Sequence, residues 1–271
     1  GSSLSINNVV STLPPTDPDR LSVLATLIFQ SLLAADDKLT ILTFDSSAVG
    51  RYRELPARQA DIRGLQFNQS TPFTGPLKRA REILTQSRLS SRRLLLFTDG
   101  APSSDDPLTP QQARALLGFD PLPAGTMSAM TSANPMQPFA VLSLGLSANL
   151  PQLKQMQQVF LSALGPVQSL DSPQEIITGF TRVLAEHMQS RPLTGRLPPG
   201  GSYSFPVGKY VSEVLVSMAS EQRMPVFSAQ LLDAGRPLPV KDESGDNGCA
   251  SPPCHTYRVI RTAHDPDTKG R

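Results

Sequence analysis

The chain has 271 residues and a formal net charge of +2, with 39% hydrophobic, 18% charged and 6% aromatic residues. These values are typical of a folded chain with one large or two medium domains. The sequence has neither a run of about 18 apolar residues nor a basic cluster interleaved with aromatics, so no membrane-spanning helix and no nucleic-acid partner are predicted.

The first elements predict a buried helix between two strands. Residues 4–6 fit a short strand. Asp17 as N-cap and Pro18 at the first helical position predict a helix start. The following LSVLATLIFQSLLAA is apolar almost all round, which is typical of a helix buried on most sides. Residues 38–44 contain β-branched side chains and predict a strand.

The middle of the chain alternates helices and strands. Residues 74–87 are amphipathic, and RRLLLFT (92–98) is a continuous apolar strand of the kind found in parallel sheets buried on both faces. The further predicted elements are a helix over 107–118, a strand over 137–146, a helix over 150–165, an edge strand over 167–170 and a helix opened by the capping box Ser172–Glu175. This order predicts a doubly wound, mostly parallel α/β domain over residues 1–190.

In the last part of the chain, apolar and polar residues alternate instead of following a helical spacing. Residues 191–202 are rich in Pro and Gly and predict a linker. Alternating apolar and polar residues then predict an antiparallel β-sandwich over 203–271, with strands at 203–207, 210–220, 225–233 and 255–263 and a turn at DAGRP. We expect its last strand beyond Arg271.

Two cysteines, Cys249 and Cys254, lie five residues apart in CASPPC. A metal site needs more ligands than the neighbouring His255, and the spacing differs from a redox C-x-x-C motif. A disulfide is preferred over two free thiols, and it indicates an extracytoplasmic compartment: periplasm, cell surface or a membrane-anchored ectodomain.

The order of elements resembles the von Willebrand factor type A (VWA) domain over residues 4–190. FTDGAPS matches the third loop of that family, STPFTGPLKRAREIL its second loop and helix, and QPFAVLSLGL its fifth strand. The resemblance implies a metal-ion-dependent adhesion site at the carboxyl ends of the strands, with Asp99 as its acid and Thr71 as its threonine.

The first loop departs from the pattern that the resemblance implies. The family has Asp-x-Ser-x-Ser, whereas this chain places Asn8, Val10 and Thr12 at those positions, and a register one residue earlier fits no better. Mg²⁺ favours oxygen ligands, above all charged carboxylates. The set Asp99, Thr71, Asn8 and Thr12 holds one carboxylate, so the resemblance implies a degenerate site and no cofactor, with bound Mg²⁺ as the alternative.

Two aspartates further on in the chain could ligate a cation and add negative charge. Asp105 and Asp106 follow the strand of Asp99, and they are interpreted as loop and helix-capping residues rather than cation ligands.

No catalytic residue is predicted. The chain lacks Gly-x-Ser-x-Gly, both glycine-rich phosphate loops and any His pair with zinc spacing.

A VWA-like domain followed by a β-rich segment also resembles bacterial secreted or membrane-anchored proteins. The resemblance therefore implies a bacterial, extracytoplasmic protein-binding, scaffold or adhesion module that is not an enzyme. A partner protein would dock around Asn8, Thr12, Thr71 and Asp99, where open α/β sheets bind their ligands. Mg²⁺-dependent adhesion is the first alternative and an enzyme of unknown class the second. A membrane anchor outside the sequence and the oligomeric state are left open.

Overall fold

A computed structural model gives the architecture. It describes residues 19–44, 53–56, 58–65, 72–89, 92–98, 101–102, 106–118, 150–165, 167–170, 172–188, 190, 192–208, 211–225 and 227–263, together with the backbone of 3–6, 9–12 and 136–144.

The described residues form both helices and strands. The helices are α1 (Leu21–Leu32), α2 (Gln59–Arg63), α3 (Thr74–Gln86), α4 (Pro110–Leu117), α5 (Leu150–Leu164) and α6 (Pro173–His187). The strands are β1 (Ser3–Ile6), β2 (Val9–Thr12), β3 (Thr40–Thr43), β4 (Arg53–Pro56), β5 (Arg92–Thr98), β6 (Met136–Leu144), β7 (Val167–Leu170), β8 (Glu213–Ala219), β9 (Leu232–Asp233), β10 (Arg236–Pro237), β11 (Lys241–Asp246) and β12 (Thr256–Ala263).

The chain divides into two compact units: residues 1–18 with 39–179, and residues 19–38 with 180–271. The linker predicted over 191–202 lies inside the second unit. Helix α1, expected in the first domain, belongs to the second unit, and helix α6 contributes residues to both.

The first unit is a mixture of helices and strands, as predicted for an α/β chain. Its described strands form a parallel sheet β5-β6-β7 and two antiparallel pairs, β1 with β2 and β3 with β4. A doubly wound parallel sheet remains a prediction. The strand β7 lies at the edge of the parallel sheet, as expected.

An aromatic group forms the centre of the first unit's core. The Phe73 ring lies 5.4 Å from that of Phe44 and 5.0 Å from that of Phe160, between ring centroids. The buried side chains around it come from α3, β5, α4, α5 and β7, and include Leu77, Leu96, Ala113, Leu117, Met156, Val159 and Val167. The apolar stripes of α3, α4 and α5 therefore share one buried core with Leu96 of β5.

The second unit is built on the antiparallel sheet β11-β12-β8. Helix α1 packs against β12 and β8, and on that face the Ser31 hydroxyl donates to the Glu243 carboxylate at 2.8 Å. On the opposite face Arg258 and Thr262 donate to the carbonyls of Phe227 and Pro239. The antiparallel strands are confirmed, and the full sandwich remains a prediction.

The predicted start of α1 is wrong. The helix begins at Leu21, and its N-cap residue is Arg20, with φ 53° and ψ 41° in the left-handed region. Asp17 and Pro18 therefore do not occupy the cap and the first helical position. The backbone is held here by distant residues, because Asn247 donates from its side chain to the carbonyls of Asp19 and Arg20.

Two predicted strands are also wrong. Residues 203–207 are irregular, and of the described residues in 225–233 only Leu232–Asp233 forms a strand. Pro206 and Pro225 lack the N–H that a ladder requires, which disfavours both segments. Conversely, the polar KDESGD (β11) becomes a strand through pairing with β12, a tertiary effect that local propensity does not predict.

Candidate functional site

The carboxyl edge of the parallel sheet brings three hydroxyl residues into register. Thr98 pairs with Ser143, and Ser143 pairs with Ser169. Thr98 ends β5 and is only 5% exposed. Because the three strands are parallel, these residues form one row across the edge, and Asp99 follows directly after Thr98 in the chain.

The amino end of α3 is capped from another segment. The Asp106 carboxylate accepts hydrogen bonds from the Thr74 backbone N–H at 2.9 Å and from the Thr74 hydroxyl at 2.7 Å. A carboxylate here satisfies an orphan N–H and interacts favourably with the helix dipole. The interpretation of Asp106 as a helix-capping residue is confirmed, and each of its oxygens has a partner.

Most of the predicted site lies outside the described residues, namely Asn8, Thr71 and Asp99. The structure therefore gives no distance among them. Thr12 is placed at the end of β2, where it pairs with Ser3, and Val10 pairs with Ser5. The segment that the VWA resemblance aligned with a loop is thus a strand from Val9 to Thr12, which the resemblance did not predict.

The side chains of the predicted metal site suit a hard cation such as Mg²⁺ poorly. The sequence offers one carboxylate, Asp99, with Asn8 as a neutral amide and Val10 without a side-chain oxygen. Asp106, considered as a further acid, is engaged by Thr74. Within the described ranges, to which Asp99 does not belong, no three His, Cys, Asp or Glu side chains cluster as a metal site.

A groove lies between α3 and α4 in the first unit. It has a volume of about 630 Å³ and is lined by Thr74, Lys78, Arg81, Glu82, Thr85 and Gln86 of α3, with Leu108, Gln112, Ala115 and Leu116 from α4 and the segment before it. Sequence reasoning noted the polar face of α3 but missed the groove, because the facing wall is supplied by a separate helix.

The ion pairs beside this groove are arranged around Arg79. Its guanidinium lies 2.8 Å from Glu54 and 3.2 Å from Glu82. Hydrogen bonds first to Glu54 and then to Glu82 raise the pKa of Arg79 above its ordinary value. Both carboxylates therefore have a cationic partner on α3.

The predicted disulfide is confirmed: Cys249 and Cys254 are bonded, with their Cα atoms 5.5 Å apart. His255 beside it is 3% exposed, and its Nδ1 lies 3.0 Å from the Ser220 carbonyl oxygen. This contact gives His255 a place in the packing of the second unit.

In the part of the chain that the structure describes, no helix is long and apolar enough to cross a membrane. Comparisons with protein-family models, with curated proteins and with solved structures find no match.

Proposed function

We propose that the chain is an extracytoplasmic protein-binding or scaffold module that docks a partner protein at the carboxyl edge of its parallel sheet, without a bound metal ion. In this proposal β5-β6-β7 belong to a doubly wound sheet of the VWA type. The antiparallel strands belong to a sandwich-like second domain.

The observation that carries the proposal is the register of Thr98, Ser143 and Ser169 at the edge that leads into Asp99. Open α/β sheets bind their ligands outside the carboxyl ends of the strands. The carboxylate of Asp99, which follows this row directly in the chain, can accept hydrogen bonds from a partner's polar groups. Such an edge suits a protein surface better than an apolar small molecule.

Two features support metal-independent docking. The first loop lacks a carboxylate at Asn8, and Asp106 is committed to the start of α3. A single acid, Asp99, gives a divalent cation too little charge to replace its hydration. The alternative is Mg²⁺-dependent adhesion, in which a carboxylate of the partner completes the coordination.

The disulfide supports the compartment. Disulfides form and persist in oxidising environments and are rare in the cytosol. The bond between Cys249 and Cys254 is therefore compatible with an extracytoplasmic location.

The test begins with the metal. Titration of the full chain with Mg²⁺ and with Mn²⁺ in a calorimeter is expected to give no saturable one-site isotherm. A one-site isotherm that disappears in Asp99→Ala would establish the Mg²⁺ alternative instead.

The docking edge is tested with a partner identified by crosslinking to the wild-type chain and then purified. Asp99→Arg and Thr71→Arg are expected to weaken its binding at least tenfold, with EDTA having no effect. Gln155→Arg, at an exposed position of α5, is the matched control and should bind as the wild type does. Binding by both edge variants within twofold of wild type would overturn the proposal.

A further inference from the structure

We propose that the groove between α3 and α4 is a second docking surface, which takes an acidic, amphipathic peptide segment of a partner protein. The proposal does not rest on docking at the carboxyl edge.

The groove presents one polar stripe and an apolar floor. Thr74, Lys78, Arg81 and Thr85 follow one another at the three- and four-residue spacing that places side chains on one face of a helix. Leu108, 7% exposed, lies in the floor, and Leu116 lines the opposite side. The volume of about 630 Å³ falls within the range of roughly 300–1,000 Å³ of binding pockets.

The local charge balance favours an acidic occupant. Among the described residues that line the groove, Glu82 is the one acid, and it is held by Arg79 at 3.2 Å. Among the described residues no carboxylate lies within ion-pairing distance of the Lys78 ammonium group. Lys78 thus presents an uncompensated positive charge on an exposed stripe of α3.

Arg81 adds a second cation that is fixed in place. One of its guanidinium nitrogens donates to the Ala115 carbonyl at 3.1 Å, which leaves further N–H groups of this five-donor side chain. Gly118 leaves room for the Arg81 guanidinium, because a Cβ at this position would lie 2.8 Å from Arg81 Nε. Its φ of +81° also favours glycine at this position. The guanidinium is therefore held against the carboxyl end of α4, where a cation also meets the helix dipole favourably.

The spacing of Lys78 and Arg81 sets the spacing of the acidic residues that we expect in the bound peptide. Side chains three positions apart on a helix lie about 5–6 Å from each other at Cβ, so Lys78 and Arg81 match carboxylates one helical turn apart. An aliphatic or aromatic residue between them would cover Leu108 and Leu116. Two cations over an apolar floor are too few for a nucleic acid, whose binding depends on neutralising many phosphates.

The test uses a random 12-residue peptide library displayed on phage, selected on the full chain. We expect the enriched peptides to contain at least two Asp or Glu residues within four positions, together with one large apolar residue. Replacing the acids by Asn or Gln in a synthetic copy should abolish the binding measured by fluorescence anisotropy.

Matched variants test whether the peptide binds in the groove between α3 and α4. Lys78→Glu should weaken it about tenfold and Lys78→Gln less, with the effect shrinking at high salt. Lys154→Glu, the same charge change at an exposed position of α5, should leave the affinity within twofold of wild type. Asp99→Arg should also leave it unchanged, which separates this surface from the carboxyl edge.

Three results would overturn the proposal. The selected peptides could lack acids, or Lys78→Glu and Lys154→Glu could weaken binding equally. Displacement of the peptide by polyphosphate or by anionic phosphatidylserine vesicles, at comparable affinity and with the same dependence on Lys78, would assign the groove to another kind of anion.

Discussion

Arg261 donates hydrogen bonds from one guanidinium nitrogen to the Leu33 carbonyl, at 3.0 Å, and to that of Leu32, at 3.2 Å. The last carbonyls of a helix have no partner within the helix, and a cation there also meets the negative end of the dipole. A strand residue therefore completes the carboxyl end of α1, although 228 positions separate Arg261 from Leu33.

Removing that cap should destabilise the chain. Arg261→Met keeps much of the side chain but loses the donors, and we expect the free energy of unfolding to fall by about 2 kcal/mol, as for hydrogen bonds from charged groups. Urea unfolding followed by circular dichroism measures the change. Arg236→Met, at an exposed position of β10, is the control. An equal effect in both variants would contradict the capping role.

The opposite end of α1 depends on Asn247, which is fully buried and donates to the carbonyls of Asp19 and Arg20. Asn247→Ala leaves those carbonyls without their buried donor and should cost about 1–3 kcal/mol. Asn247→Asp should be worse, because it buries a carboxylate against carbonyl oxygens. Thermal melts that rank Asp as milder than Ala would exclude this account.

These two residues show why part of the fold was predictable and part was not. The apolar run of α1, the strand of Arg92–Thr98 and the capping box at Ser172 and Glu175 are local signals, and the structure contains all three. The sheet that α1 packs on is set by contacts such as those of Arg261 and Asn247. No local pattern around α1 identifies those partners, which lie more than 200 residues away.

The candidate site likewise has features that the sequence predicted and features that it did not. The disulfide followed from the short cysteine spacing and is confirmed. Asp106 was interpreted as a helix-capping residue, and it does cap a helix, but that helix is α3, 32 positions away, which no local motif indicates. The α3–α4 groove needed two helices side by side, and the facing Ala115 carbonyl is a backbone group that sequence patterns do not mark. The resemblance placed Asp99 and Thr71 at the edge, and that placement remains a prediction.

Phe73 should be the most sensitive core position of the first unit. It is fully buried between Phe44 and Phe160, so Phe73→Ala leaves a cavity and should cost about 3–5 kcal/mol in urea unfolding. Leu161→Ala is the control, since Leu161 lies next to Phe160 in α5 but is 53% exposed; its effect should stay within about 0.5 kcal/mol. Similar losses in the two variants would place the core elsewhere.

The disulfide should stabilise the chain by an amount set by its short loop. For cysteines five positions apart, the loop-closure estimate is about 2 kcal/mol. The double variant Cys249→Ser, Cys254→Ser should lose that much in urea unfolding, and the wild type with dithiothreitol should match it. Dithiothreitol should leave the variant's own midpoint unchanged. A wild type insensitive to the reductant would show that the bond contributes nothing.

The contact between Asp106 and Thr74 calls for a double-mutant cycle. Asp106→Ala removes the acceptor for the first turn of α3 and should cost about 1 kcal/mol, the usual cost of losing an N-terminal cap. Thr74→Val removes only the hydroxyl donor, so Asp106 can still accept from the backbone N–H in that variant. The double variant should therefore cost less than the two single losses together, with a coupling of at least about 0.5 kcal/mol in urea unfolding.

Asp36→Ala, at an exposed aspartate, controls for the loss of one negative charge and should couple neither to Asp106→Ala nor to Thr74→Val. Simple additivity of Asp106→Ala and Thr74→Val would mean that the hydroxyl-to-carboxylate hydrogen bond contributes nothing. An Asp106→Ala variant as stable as wild type would mean that the carboxylate does not hold this end of α3.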